Sequence, residues 1–156
     1  MMSKVTEPTG AIRVGGPVLG ASATLRVFGD ALEPNEVTRL LGPAPTASYR
    51  AGDAVSPRLT ARRKMGMWCL DSSLSRTAPL SSHVIELLAR LPSDPTIWSE
   101  IQTRFSADVY CGVDVRVPNS GMGLTSEAIE ALAVRRLSIE FDLYALLPEE
   151  APNQVE

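Results

Sequence analysis

The alternation of apolar and polar residues along the chain predicts five β-strands. It is most regular over residues 109–117, where valine or cysteine occupies every second position. Shorter alternating runs predict further strands at 23–28, 47–50, 65–71 and 138–145. A strand of this kind has one buried side and one solvent-facing side, so we expect a sheet that is covered on one face.

Apolar residues spaced three or four positions apart predict four helices between these strands. The helices begin near Pro34, Ser81, Pro95 and Thr125, and these residue types are typical of helix starts. The order of elements is therefore β-α-β-β-α-α-β-α-β. It predicts an α+β two-layer sandwich, with a mixed or mostly antiparallel sheet and with the helices on one face.

The phase of two helices predicts which of their residues are exposed. In the second helix apolar side chains recur at 84, 87, 88 and 91, so His83, Glu86 and Arg90 are expected on the solvent face. In the fourth helix, the residues expected to face the sheet are Ile129, Leu132, Ala133 and Arg136 or Leu137.

A chain of 156 residues accommodates one domain. We expect residues 21–147 to form it, preceded by a flexible lead at 1–20 that is rich in glycine and proline. Residues 148–156 are expected to be a frayed acidic tail, because they are too polar to offset the entropy of ordering them. A strand, a loop and a capped helix occur at 23–42 and again at 109–136, which suggests a ferredoxin-like pseudo-repeat.

The charge and the cysteines narrow the function classes. Fifteen basic and eighteen acidic residues give a net charge of −3, which offers no general attraction to nucleic acid. The chain has neither an apolar run of the roughly 20 residues that span a bilayer nor a signal-peptide pattern, so we expect a cytoplasmic protein without membrane contact. Cys69 and Cys111 are too far apart in sequence for a redox pair or a zinc knuckle, which predicts two reduced thiols and no metal or cofactor.

Five short segments carry a family likeness through their order and spacing. They are Leu25–Asp30, Leu32–Gly42, Arg50–Asp53, Trp68–Ser73 and Phe141–Tyr144. Over about residues 24–146 the chain resembles a bacterial family catalogued as domain of unknown function 4279. The resemblance implies a small cytoplasmic bacterial protein with no established activity. The resemblance also implies relatives near toxin or defence genes, and with them an immunity-like binding role.

The sequence contains no convergent catalytic set. Nucleophilic catalysis needs a nucleophile, a base within hydrogen-bond reach and a group that orients the base. The single histidine, His83, is predicted to be a solvated surface residue rather than the base for Ser72, Ser73 or Cys69. This favours a non-enzymatic protein and leaves the enzymatic alternative open.

Two surfaces are candidates for binding. The first is a basic cluster of Arg58, Arg62, Arg63 and Lys64, which together with Arg50 could hold an anion or an acidic partner. The alternative is that these charges are simply solvated and keep an adjacent strand from aggregating.

The second surface is the outward side of the sheet. Strand alternation places Phe28, Tyr110, Tyr144 and, on one interpretation, Trp68 there. The charged residues expected around them are Arg26, Arg116, Asp108, Asp114, Glu140 and Asp142. Aromatic residues interleaved with both signs of charge are typical of protein-binding surfaces. The alternative is that residues 43–64 or a second copy of the chain cover this side and bury the aromatic residues.

Two functions follow from these surfaces. The first is a non-catalytic interaction module that holds a protein partner, such as a toxin or a copy of itself. The second is a binder of a small anionic ligand, or an enzyme, with a pocket under residues 43–64. That pocket would be lined by Arg50, Asp53, Trp68, Ser72, Ser73 and Asp142.

Overall fold

A computed structural model of the protein describes residues 15–116 and 118–146. Within them the predicted order of elements is confirmed. The elements are β1 (Gly20–Gly29), α1 (Pro34–Leu41), β2 (Ala47–Tyr49), β3 (Gly66–Asp71), α2 (Leu80–Ala89), α3 (Pro95–Arg104), β4 (Ser106–Arg116), α4 (Ser126–Val134) and β5 (Ser138–Leu146). The predicted tail at 148–156, most of the predicted lead and Val117 lie outside the described residues. Of the rest of the lead, the Leu19 amide donates to the Asp114 carbonyl at 2.8 Å.

The strands form one mixed sheet in the order β2-β3-β1-β4-β5. The central strand β1 is antiparallel to both β3 and β4, and β2 is antiparallel to β3. The last pair, β4 and β5, is parallel, which requires a crossover connection, and α4 supplies it. β2 runs in the same direction as β1, because both are antiparallel to β3. The two strand-and-helix units therefore share an order of elements and a strand direction, but β3 lies between β1 and β2, whereas β4 and β5 are neighbours.

The core lies between the sheet and the helices. Alternate residues of β1, among them Leu25 and Val27, are fully buried, as are Val109 and Val113 of β4. All four described helices pack against this side of the sheet. The opposite side has no helix from the described residues, so the predicted two-layer arrangement with helices on one face is confirmed.

Helix α4 is rotated relative to the prediction. Ala128 and Leu132 face the core, whereas Ile129 keeps 53% of its surface exposed. The predicted inward orientation is therefore wrong for Ile129 and for Ala133, which is also exposed, and is confirmed for Leu132 and Leu137. The buried stripe continues from Leu132 to Arg135, which follows the helix and lies about one turn further along the same side.

Arg135 is a buried cation whose partners are backbone carbonyls. Its guanidinium donates to the carbonyls of Leu88 at 3.0 Å, Leu91 at 3.4 Å, Pro92 at 3.1 Å and Ala131 at 2.8 Å. Three of these oxygens lie at or just beyond the end of α2, where helix carbonyls lack partners and carry partial negative charge. Burial lowers the pKa of Arg135 from its usual value. The side chain therefore joins the ends of α2 and α4 without a carboxylate.

Replacing Arg135 with methionine removes these donors while keeping most of the buried volume. We expect Arg135→Met to lower the free energy of unfolding by about 2–3 kcal/mol, because buried carbonyls lose a charged donor. Urea denaturation followed by circular dichroism measures the change. The exposed neighbour provides the control, since Arg136→Lys is expected to change stability by less than about 0.5 kcal/mol. Equal effects of the two substitutions would contradict a specific role for Arg135.

Candidate functional site

The strand side chains that point away from the helices form a surface that we call the outer face. The antiparallel register of β1 and β4 places Arg26 opposite Asp108 on this face, and the parallel register of β4 and β5 places Glu140 opposite Tyr110. The outer face consists mainly of Thr24, Arg26, Phe28, Met67, Cys69, Asp108, Tyr110, Glu140, Asp142 and Tyr144.

Arg26 is fixed at the centre of the outer face. Its Nε and Nη2 atoms donate to the two carboxylate oxygens of Asp108 at 2.8 and 2.6 Å. Its guanidinium also lies over the rings of Tyr110, at 4.7 Å, and Phe28, at 5.9 Å. The hydrogen-bonded Asp108 carboxylate holds the pKa of Arg26 above its usual value. This central part of the face is therefore rigid and locally neutral.

Two phenols and a carboxylate meet where β4 and β5 run side by side. The hydroxyls of Tyr110 and Tyr144 donate to Asp142 Oδ2 at 2.6 and 2.7 Å, and they lie 3.2 Å from each other. These two hydrogen bonds lower the pKa of Asp142, and the bond to Asp142 raises the pKa of Tyr110. Tyr144 keeps 49% of its surface exposed, so residues 43–64 do not cover this part of the outer face.

The residues between β2 and β3, from Arg50 to Lys64, form a hairpin that we call the basic loop. Its two arms are joined by an isolated bridge between Ala54 and Arg62. At its base the Arg50 amide donates to Asp53 Oδ2 at 2.7 Å, and Arg50 Nε donates to Glu33 at 2.6 Å. Arg50 and Asp53 therefore hold the base of the loop together.

The second arm of the basic loop, which leads into β3, carries the basic side chains Arg62, Arg63 and Lys64. Arg63 lies over the ring of Tyr49 at 4.1 Å, and its Nε atom is buried without a hydrogen-bond partner among the described residues. Arg62 and Lys64 are exposed. The basic residues therefore extend the outer face beyond its β2 edge.

Trp68 does not belong to the outer face. It is fully buried on the helix side of β3, opposite Val27, and its Nε1 atom donates to Thr38 Oγ1 at 2.9 Å. The interpretation that placed Trp68 outward is wrong, because the alternation of β3 turns Met67 and Cys69 to the outer face instead.

His83 is also placed differently from the prediction. It is 1% exposed, and its Nδ1 atom lies 2.8 Å from Ser72 Oγ. The backbone of Ser75 and Ala78 lies against the ring, so the segment between β3 and α2 covers a helix face that was expected to be solvated. Burial lowers the pKa of His83.

The contact between Ser72 and His83 brings a hydroxyl and an imidazole within hydrogen-bond reach. The Nε2 atom of His83 is buried and has no hydrogen-bond partner among the described residues, so no described side chain orients the ring from that side. The nearby Glu86 accepts instead from the amide and hydroxyl of Ser73, at 3.1 and 2.7 Å. Ser72 and Ser73 therefore attach the segment after β3 to α2.

The structure separates the residues of the pocket expected under residues 43–64. Arg50 and Asp53 lie at one end of β3, Ser72 and Ser73 follow its other end, and Trp68 is in the core. Asp142 lies at the opposite edge of the sheet. Two cavities of about 440 and 530 Å³ lie elsewhere, and both are lined in part by Gln102 and Arg136. Of the predicted site residues, Tyr110, Asp142 and Tyr144 come together on β4 and β5, and Arg62 and Arg63 come together on the basic loop.

Arg26 and Asp108, which pair at the centre of the outer face, were expected on this face but were not predicted as site residues. The sequence does indicate that both side chains point outward, since Arg26 and Asp108 fall on the polar positions of alternating strands. Their pairing depends on the register between β1 and β4, which are separated by about 80 residues of sequence.

A family model described as domain of unknown function (DUF4279) matches residues 20–146. The chain belongs to this family. The DUF4279 match begins with β1 and ends with β5, so it covers every element described above. No curated protein and no solved structure matches the chain. In the described part of this DUF4279 domain no group of three or more histidine, cysteine or acidic residues could hold a metal ion, and no helix is long and apolar enough to cross a membrane.

The buried His83 makes the stability of the domain depend on pH. The pKa of His83 is lower in the folded state than its ordinary value of 6.5, so the unfolded chain takes up the proton first. The stability contributed by neutral His83 is complete above pH 6.5 and is lost as the pH falls toward the folded-state pKa. Between about pH 7.5 and pH 5, we expect the wild type to lose up to about 2 kcal/mol more than His83→Asn.

Urea denaturation at several pH values measures this difference. Asparagine keeps a polar atom near the position of Nδ1 for Ser72 but does not titrate, so carboxylates contribute equally to both curves. Parallel stability curves for the two proteins over this range would contradict the buried neutral histidine.

The two tyrosine hydroxyls should control the ionisation of Asp142. In a variant that combines Tyr110→Phe and Tyr144→Phe, we expect the pKa of Asp142 to rise toward its ordinary value of 3.8, because both donors are removed. Carboxyl carbon chemical shifts followed against pH measure it. Tyr49→Phe, at the other edge of the sheet, is the control and should leave the Asp142 titration unchanged. An unaltered pKa in the double variant would show that the hydroxyls do not bond Asp142 in solution.

Proposed function

We propose that this DUF4279 domain is a non-catalytic protein-interaction module that binds a partner protein through the outer face and the basic loop. The observation that carries the proposal is a sheet face without helices from the described residues, which presents aromatic rings among charges of both signs. Tyrosine and arginine in such a setting are the residue types that contribute most to protein binding.

The rigidity of the outer face supports binding. Arg26 is held by Asp108 and by two rings, and Tyr110 and Tyr144 are held by Asp142. Side chains that are already ordered lose little conformational entropy when a partner binds. A partner surface would therefore meet a preformed pattern of rings and charges.

The distribution of charge favours a protein over a nucleic acid. The exposed rings of the outer face lie beside Glu140 and Asp142, and these carboxylates would repel a phosphate backbone. The basic residues Arg62 and Lys64 lie beyond the opposite edge of the sheet. A partner with a basic patch facing β5 and an acidic patch facing the basic loop would match both ends, and this charge pattern would fix its orientation.

The same proposal places the domain in the bacterial cytoplasm. Cys69 and Cys111 are both free thiols, which suits a reducing compartment. An immunity-like role, in which the partner is a toxin, rests on the family resemblance alone.

Two variants of the full chain test the proposal. Immobilised wild type, an outer-face variant that combines Arg62→Glu with Tyr144→Ala, and Arg39→Glu are compared for the polypeptides that they retain from a lysate of the source organism. Arg39 is exposed on α1, so its reversal is a matched charge control on the helix side. We expect a polypeptide retained by the wild type and by Arg39→Glu, and recovered about tenfold less with the outer-face variant.

Equal recovery with all three proteins would remove the outer face and the basic loop from consideration. Native mass spectrometry of the same samples tests the alternative function. A small added mass that is lost on Arg50→Ala, without a retained polypeptide, would favour the anionic-ligand binder.

A further inference from the structure

β5 is a long strand with one free edge. It runs from Ser138 to Leu146 and pairs only with β4 in the described residues. At the other edge of the sheet, β2 spans only Ala47–Tyr49 and continues into the basic loop. In a parallel pair, alternate residues direct their amide and carbonyl groups away from the partner strand, so β5 offers unpaired hydrogen-bonding groups along its outer edge.

The helix-facing side of β5 is apolar and exposed. Phe141 and Leu143 lie opposite the buried residues Cys111 and Val113 of β4, yet they keep 44% and 53% of their surfaces exposed. Helix α4 contacts β5, and Ile139 packs partly buried against the core, but the helices leave the part of β5 around Phe141 and Leu143 open. Phe141 and Leu143, separated by one residue, therefore form an exposed apolar surface beside the free edge of β5.

The other side of β5 is acidic. The carboxylates of β4 have basic partners, since Asp108 pairs with Arg26 and Asp114 pairs with Arg76. Glu140 and Asp142 of β5 make no ion pair with a basic residue of the described chain. The free edge of β5 thus carries uncompensated negative charge on one side and exposed apolar surface on the other.

We propose that the free edge of β5 binds an extended segment of a partner protein in which apolar and basic residues alternate. The segment adds a sixth strand to the sheet through main-chain hydrogen bonds. Its apolar side chains pack beside Phe141 and Leu143, and its basic side chains face Glu140 and Asp142. This inference rests on the proposed function for the existence of a protein partner and states the chemistry of one segment of it.

A second copy of the chain fits this edge less well. A two-fold antiparallel pairing of β5 with itself over its full length is centred on residue 142. It places Asp142 opposite the Asp142 of the second copy, and like charges directly opposite each other are destabilising. The acidic side of β5 therefore favours a basic segment over a copy of itself.

Peptide titration of the full chain tests the inference. The probe is a seven-residue peptide, blocked at both ends, in which valine and lysine alternate. One control peptide has the same composition in two blocks, and another alternates valine with glutamate. We expect the alternating lysine peptide to bind at least about tenfold more tightly than either control, and to shift the backbone amide resonances of β5.

Substitutions in β5 test whether the peptide binds at the free edge of this strand. A variant that combines Phe141→Thr with Leu143→Thr keeps residues that favour strands but removes the apolar surface, so we expect about tenfold weaker binding of the peptide. Leu74→Thr is the matched control, because Leu74 is 37% exposed between β3 and α2, outside the outer face and the basic loop, and should not affect the peptide. In Glu140→Gln with Asp142→Asn, binding is expected to become weaker and less sensitive to salt.

The results separate this inference from the proposed function. Equal affinity for the three peptides, resonance shifts that avoid β5, or a dimer that dissociates on Phe141→Thr with Leu143→Thr would overturn the edge proposal. If the edge variant still retains the natural polypeptide while Arg62→Glu with Tyr144→Ala loses it, the proposed function stands and the edge proposal falls. Loss of that polypeptide with the edge variant, together with selective peptide binding, supports both.

Discussion

The packing of all four described helices on one side of the sheet is the constraint on which the rest of the structure depends. Each strand must present apolar residues to the helices and residues that tolerate water to the other side. The central strand β1 obeys this most strictly, with Leu25 and Val27 buried and Arg26 between them on the outer face. On the polar side, residues on adjacent strands must also be compatible in charge and size, because their side chains lie within about 5 Å of each other. Arg26 and Asp108 satisfy this requirement as a pair.

The strands and the order of elements could be predicted because alternation is a local property of the sequence. The burial of His83 and Trp68 and the exposure of Ile129 depend instead on contacts between segments that are distant in sequence. His83 is buried because the segment after β3 lies against α2, and Ile129 is exposed because Ala128, Leu132 and Arg135 occupy the buried side of α4. Trp68 has the alternation that was predicted, but the side on which it lies depends on the register with β1. The cluster of Tyr110, Asp142 and Tyr144 could have been predicted from the alternation alone, given the assumption that β4 and β5 are neighbours.

The outer face and the edge of β5 meet at Asp142. This carboxylate accepts two tyrosine hydroxyls, and an ionised carboxylate has about four acceptor positions, so it can also accept from a basic side chain. A partner segment at the edge would therefore contact a group whose ionised form is already stabilised by Tyr110 and Tyr144. The rigid face orients the charge, and the adjacent strand supplies the backbone groups. A partner that covered both would bury polar groups that are already largely hydrogen-bonded, which limits the cost of removing water.

The position of β1 has a consequence for synthesis on the ribosome. β1 is the first strand to emerge, yet its two neighbours are β3, ending at Asp71, and β4, ending at Arg116. After β1 itself has emerged, about 40 more residues are needed to complete the strand on one side of it and about 90 to complete the strand on the other. Pairings between such distant segments form slowly, and unpaired strand edges favour aggregation in the meantime. The helix α2, which covers the apolar side of β1, emerges before β4, so that side can be buried while the nascent chain still lacks its parallel strand pair.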